Sequence, residues 1–93
     1  MAEQDKIRLE IVTPEREVFH GMVERFTVPT LMGSVGILHN HAPLLTVVDI
    51  GVITYVMDGD TGRVAVDHGF MEMRDNEAEI LVAAAEKAAD IDK

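Results

Sequence analysis

Apolar and polar residues alternate with a period of two along most of this chain, the mark of strands with one buried face. Ile7, Leu9 and Ile11 are separated by Arg8 and Glu10, and Pro14 closes the segment. Glu17 to Phe19 is a second short extended piece, and Gly21 predicts a turn. Val23, Phe26 and Val28 then alternate with Glu24 and Thr27, predicting an extended segment across 23–28 whose phase Arg25 blurs. Farther on, Gly51 to Met57 is rich in β-branched and aromatic residues, and Asp58-Gly59-Asp60-Thr61-Gly62 turns it into Arg63 to Val66, a hairpin. His68-Gly69 breaks the pattern, Phe70 to Arg74 resumes it with Met71 and Met73 on one face, and Asp75-Asn76 leads into Ala78 to Ala83. Turns recurring about every eight to twelve residues predict an all-β sandwich rather than alternating strands and helices.

Between these segments the run from Thr27 to Val48 carries no Asp, Glu, Lys or Arg, in a chain where 27% of residues are charged. Such a run is buried or touches something. Turn-forming sites at Met32 to Gly36, Asn40 and Pro43 interrupt it, so it lacks the roughly 20 continuous helical apolar residues that cross a bilayer. A contact surface on strands and turns is the better account, with Gly33 and Gly36 predicted to shape a turn or bulge. The end of the chain changes character: Ala83 to Asp90 is alanine-rich with mixed charge, a helix-prone tail too short to be stable alone.

With 93 residues the chain makes one domain around one core. Seventeen acidic against eight basic groups leave a net charge of −9, a field that repels phosphate backbones and anionic lipid. Nucleic-acid binding and direct lipid insertion are therefore not expected, and a nearby membrane would have to be reached through another protein. The absence of cysteine excludes disulfides and thiolate metal sites. Met1 to Lys6 lacks the basic and then apolar regions of a secretory signal, so a cytoplasmic location is expected.

Candidate chemistry is thin. His39 and His41, two apart, would project to one side of a strand, with His20, His68 and Asp67 as distant potential ligands. A zinc site needs three or four converging ligands, and nothing in the spacing brings the others to the pair, so ordinary surface or interface histidines are the better account. Ser34, His41 and Asp67 contain the residue types of a nucleophilic triad, yet Ser34 lies in Gly-Ser-Val-Gly and not in a strand-turn-helix elbow. Gly33-x-x-Gly36 is followed by no Lys-Ser/Thr, which argues against a phosphate loop. Asp58 to Thr61 lacks the length and terminal Glu of a calcium loop. No catalytic residue, metal or cofactor is expected. Met71 and Met73 are core filler, whereas Met32, at a loop tip, has no evident core role.

Several segments in order carry a family resemblance: Ile7 to Thr13 with Glu17-Val18-Phe19-His20-Gly21, Gly51-Val52-Ile53, His68-Gly69-Phe70-Met71-Glu72, and Ala85 to Asp92. The most specific is Gly33-Ser34-Val35-Gly36-Ile37 followed by His41-Ala42-Pro43-Leu44-Leu45-Thr46. Across essentially its whole length the chain resembles the epsilon subunit of bacterial and chloroplast F-type ATP synthases, whose mitochondrial counterpart is called delta. The resemblance implies a flattened ten-stranded β-sandwich over residues 1–85, with 86–93 a remnant or linker of a C-terminal helical hairpin. It also implies a non-catalytic rotor subunit of the central stalk that binds the gamma subunit, rests on the c ring, and couples proton-driven rotation to ATP synthesis. Its place would be peripheral, on the cytoplasmic face of the bacterial inner membrane, and the isolated domain would be monomeric.

Carried over by position, Thr30, Leu31, Met32, Gly33, Ser34 and His41 would face the c ring, and Ala42, Pro43, Leu44, Leu45 and Thr46 would face gamma. Many relatives are acidic where this chain has Met32 and Ser34, so apolar or hydrogen-bonded contacts would substitute there, consistent with interface centres being poor in charge. The inhibitory and ATP-sensing hairpin of the family would begin near Ile91-Asp92, where this chain ends, so neither function is expected of this polypeptide. Composition and periodicity by themselves fit equally a generic small β-sandwich that binds protein.

Overall fold

The inward positions of the alternating segments close into one core between two sheets. The computed structural model describes residues 5–88. Ten strands follow one another: β1 (Ile7–Val12), β2 (Glu17–Val23), β3 (Arg25–Thr30), β4 (Gly33–Leu38), β5 (Leu44–Val48), β6 (Gly51–Met57), β7 (Asp60–Val66), β8 (Gly69–Arg74), β9 (Glu77–Val82) and β10 (Ala85–Lys87). The first sheet has the order β2-β1-β9-β8-β5 and the second β10-β7-β6-β3-β4, so the fold is the expected two-sheet sandwich. Ile7, Leu9, Ile11, Met71, Met73 and Ile80 from the first sheet meet Phe26, Val28, Ile37, Ile53 and Val64 from the second, and all are essentially without solvent exposure. Burying each such side chain contributes roughly 1.5–3 kcal/mol, which makes the alternation itself the main source of stability.

Turn chemistry explains the hairpins. Asp58 and Gly59 both have positive φ, as do Asp75 and Asn76, giving two-residue loops whose twist matches the flanking strands. Thr13 holds the β1–β2 connection: its hydroxyl accepts from the Glu15 and Arg16 backbone N–H groups at 3.2 Å.

Five local expectations are corrected. Gly21 is not a turn but lies inside β2 opposite Leu9, where a β-carbon would come within 3.1 Å of Met57 Sδ and 3.2 Å of Phe19 Cζ. The segment 23–28 is not continuous: Val23 ends β2 in one sheet, Glu24 crosses over, and Arg25 opens β3 in the other, which is why Arg25 seemed out of phase. Gly62 sits in β7 rather than in the turn, and Gly36 lies within β4 opposite Thr27 with no turn or bulge. Finally, Ala85–Lys87 form a strand, not the start of a helix, and the sandwich thus takes in Glu86 and Lys87. The reason is tertiary: Ala85, Glu86 and Lys87 pair with Val66, Ala65 and Val64, so sheet hydrogen bonds override alanine's helical preference. The rest of the helix-prone tail, from 89 on, falls outside the described residues.

Candidate interaction site

The uncharged run becomes one side of the sandwich. It contains most of β3 and all of β4 and β5, and β4 and β5 are the terminal strands of the two sheets. Both open edges of that side consequently carry no charged side chain, and β5 packs near β3 across the sandwich. The opposite edges differ: β2 carries Glu17 and His20, and β10 carries Glu86 and Lys87. Open edges are normally blunted by charge because their unpaired N–H and C=O groups invite another chain. Two edges without charge therefore lie together on one side of a chain with a net charge of −9.

The β3–β4 turn projects from this side. Thr30 is buried, and its hydroxyl both donates to the Gly33 carbonyl at 2.7 Å and accepts from the Met32 N–H at 3.1 Å. Gly33 takes a φ of 105°, a conformation side chains resist. Between them Leu31 is 74% and Met32 93% exposed, so the turn is built to hold two apolar side chains in water. They share a shallow depression with Leu45, Thr46, Val47 and Phe70. Ser34 is exposed on β4.

Residues 39–43 cross from β4 to β5 as a turn and irregular chain, so His39 and His41 are not strand neighbours. His41 is half-buried and its Nδ1 donates to the Ala42 carbonyl at 2.6 Å. Ala42 and Pro43 are exposed. Leu45 is 74% exposed, whereas Leu44 is half-buried against the core. The site residues therefore divide by role: Leu31, Met32, Ser34, Ala42, Pro43 and Leu45 present side chains outward, while Thr30 and Leu44 shape and anchor the surface.

Among the described residues no three His, Cys, Asp or Glu side chains gather in a metal-holding group. Asp67 is engaged locally: its carboxylate accepts from the His68 backbone N–H at 2.8 Å and ring Nδ1 at 2.9 Å. The backbone bond is the main cause that holds its carboxyl below the usual range.

Sequence inspection missed Val47, Phe70 and Leu81, which extend the apolar surface over the first sheet. A signal was present. Phe70 lies in the outward phase of β8, opposite to Met71 and Met73, and Leu81 in the outward phase of β9, opposite to Ile80 and Val82. An apolar residue in the polar half of an alternation is the trace that such a surface leaves.

Comparison with known proteins agrees with this architecture. A family model described as the ATP synthase delta/epsilon chain β-sandwich domain matches residues 6–88. The ATP synthase epsilon chain of Carboxydothermus hydrogenoformans is 44% identical over 95% of this chain and 66% of its own length. That of Pelotomaculum thermopropionicum is 48% identical over 91% of this chain and 63% of its own. The chain thus spans just under two thirds of these relatives. Among solved structures, a chain of the Euglena gracilis mitochondrial ATP synthase superposes with a TM-score of 0.86 at 20% identity, over 95% of this chain and 57% of that one. A chain from a central stalk and c-ring structure of the Tetrahymena thermophila mitochondrial ATP synthase gives 0.74 at 22% identity, over 92% and 69%. At those identities the shared property is the fold.

Proposed function

Because the chain belongs to the ATP synthase delta/epsilon chain family through its β-sandwich domain, we propose that it is the sandwich of a non-catalytic central-stalk subunit that passes c-ring rotation to gamma. The observation that carries this reading is the uncharged side, where two open strand edges and an apolar turn tip lie together. A mechanical coupling element needs a rigid body with a persistent contact surface, and it needs no reacting group.

On this reading Leu31, Met32, Gly33 and Ser34 at the turn, with His41, face the c ring, and Ala42 to Thr46 face gamma. Thr30 holds the turn from inside, and Leu44 holds β5 against the core. Met32 and Ser34 contact the ring without charge. The domain sits peripherally at the cytoplasmic face of a bacterial membrane, held there by its protein partners. The test is a binding measurement with the gamma subunit of the same complex. A stable complex by size exclusion and calorimetry is expected, and its absence overturns the assignment.

A further inference from the structure

With no cysteine in the chain, its sulfur chemistry rests wholly on six methionines. Those among the described residues differ sharply in their surroundings. Met71 and Met73 have no solvent exposure, and Met57 is half-buried against the core. Met22 is 40% exposed and Met32 93%. A peroxide oxidises a thioether only by bringing its O–O bond onto a sulfur lone pair, so the reaction needs access to the sulfur. The S–O bond forms as the O–O bond breaks, sulfur gives up two electrons, and hydrogen peroxide leaves as water. Of these five sulfurs, Met32 Sδ belongs to the residue most open to that approach.

What the added oxygen changes follows from how the turn is held. The Thr30 hydroxyl accepts from the Met32 backbone N–H and donates to the Gly33 carbonyl, and neither bond uses the Met32 side chain. Oxidation at Met32 therefore leaves turn and core in place, whereas at Met71 or Met73 it would put a polar group inside the core. The surface does change. Met32 shares its depression with Leu31, Leu45, Val47 and Phe70. The side-chain donors lining it are the Thr30 and Thr46 hydroxyls, and both donate to backbone carbonyls. A sulfoxide is a strong acceptor, and covering it there without a donor is unfavourable.

We propose that Met32 is a reversible oxidation site that governs docking of the β3–β4 turn: the thioether docks, and the sulfoxide does not. The proposal rests on the reading above, in which this turn faces the c ring. Oxidation acts on the free subunit, because a docked turn shields the sulfur. Return to the thioether takes a dithiol reductant: the sulfoxide oxygen leaves as water while two thiols become a disulfide. The chain has no thiol of its own, so a separate reductase of the methionine sulfoxide class supplies it.

Two measurements test it. In the first, the free folded chain is treated with hydrogen peroxide and mapped by peptide mass spectrometry. Met32 gains one oxygen several-fold faster than Met22, while Met71 and Met73 stay unmodified and the melting midpoint holds. Oxidation of Met32 no faster than that of Met22, or a lowered midpoint in chain oxidised at Met32 alone, overturns the proposal. In the second, the chain is titrated onto the ATP synthase complex stripped of this subunit, with gamma and the c ring present. Chain oxidised at Met32 and the polar variant Met32→Gln each lose affinity about tenfold, and sulfoxide reductase restores the oxidised chain. Met32→Leu keeps the apolar volume without an oxidisable sulfur, and it binds like wild type before and after peroxide. If Leu31→Asp weakens binding while oxidised chain and Met32→Gln bind like wild type, the c-ring reading stands and the oxidation proposal falls. If Leu31→Asp also binds like wild type, the turn does not face the ring, and both fall.

Discussion

Asn40 and Asn76 hold each other across the molecule: the Asn76 side-chain oxygen accepts from the Asn40 backbone N–H at 2.6 Å, and its amide donates to Asn40 Oδ1 at 3.1 Å. Both residues have positive φ, and the Asn76 carbonyl also accepts from the Arg8 N–H at 2.9 Å. One asparagine in the β8–β9 turn thereby anchors the crossover that carries His41, Ala42 and Pro43. Replacing Asn76 by Gly keeps the backbone conformation accessible and removes only the side-chain bonds. We expect a loss of about 0.5–1.5 kcal/mol in unfolding free energy and faster amide exchange at Asn40. Unaltered exchange at Asn40 would show that the crossover is held by something else.

Glycines 36 and 62 should respond in opposite directions. A β-carbon on Gly62 would fall 2.5 Å from Tyr55 Oη and 2.7 Å from its Cε1, because the Tyr55 ring lies over this cross-strand partner. Gly62→Ala therefore overpacks and is expected to cost about 1–3 kcal/mol. No atom approaches within 4 Å at Gly36, so Gly36→Ala is expected to leave stability unchanged or raise it by about 0.5–1 kcal/mol. Denaturant midpoints of the two variants check the contrast, and equal destabilisation would refute it.

Leu44 and Leu45 are adjacent and point to opposite faces. Leu45→Glu should retain the wild-type midpoint and lose the complex with gamma, since its side chain is mostly in water. Leu44→Ala removes core packing and is expected to cost on the order of 1–3 kcal/mol, short of the largest core truncations because Leu44 is only half-buried. Thermal melts paired with calorimetry distinguish the two, and a Leu45→Glu variant that still binds gamma would remove β5 from the interface.

Tyr55 is the single tyrosine and there is no tryptophan, so absorbance at the phenolate band reports it alone. Burial raises its pKa above 10.0. The folded state therefore holds the phenol proton more tightly than the unfolded chain, and stability falls as pH rises from the unfolded value towards the folded one. A titration midpoint above 10 is expected for the native protein, moving down to the ordinary value in denaturant. Identical midpoints in both states would contradict the packing of Tyr55 between Phe19 and Gly62.

Local chemistry made the hairpin around Asp58-Gly59 and the turn at Asp75-Asn76 legible, since a short loop either tolerates positive φ or does not form. It was insufficient at Glu24, where a break between two sheets looks like a phase error in one strand, and at Gly21, Gly36 and Gly62, where the same residue type serves three different surroundings. The tail at Ala85–Lys87 was misread for a related reason: helix preference is worth tenths of a kcal/mol per residue, and an available β7 edge outweighs it.

The sequence by itself determined the inward residues, the sandwich class and the unusual run without charge, because period-two burial and turn stereochemistry act over a few neighbouring residues. Only the tertiary structure decided that this run supplies both open edges on one side, and that Val47, Phe70, Leu81 and Val12 form a single row. Those relationships depend on register between strands far apart in the chain, which is set by packing the whole core at once and leaves no local pattern to read.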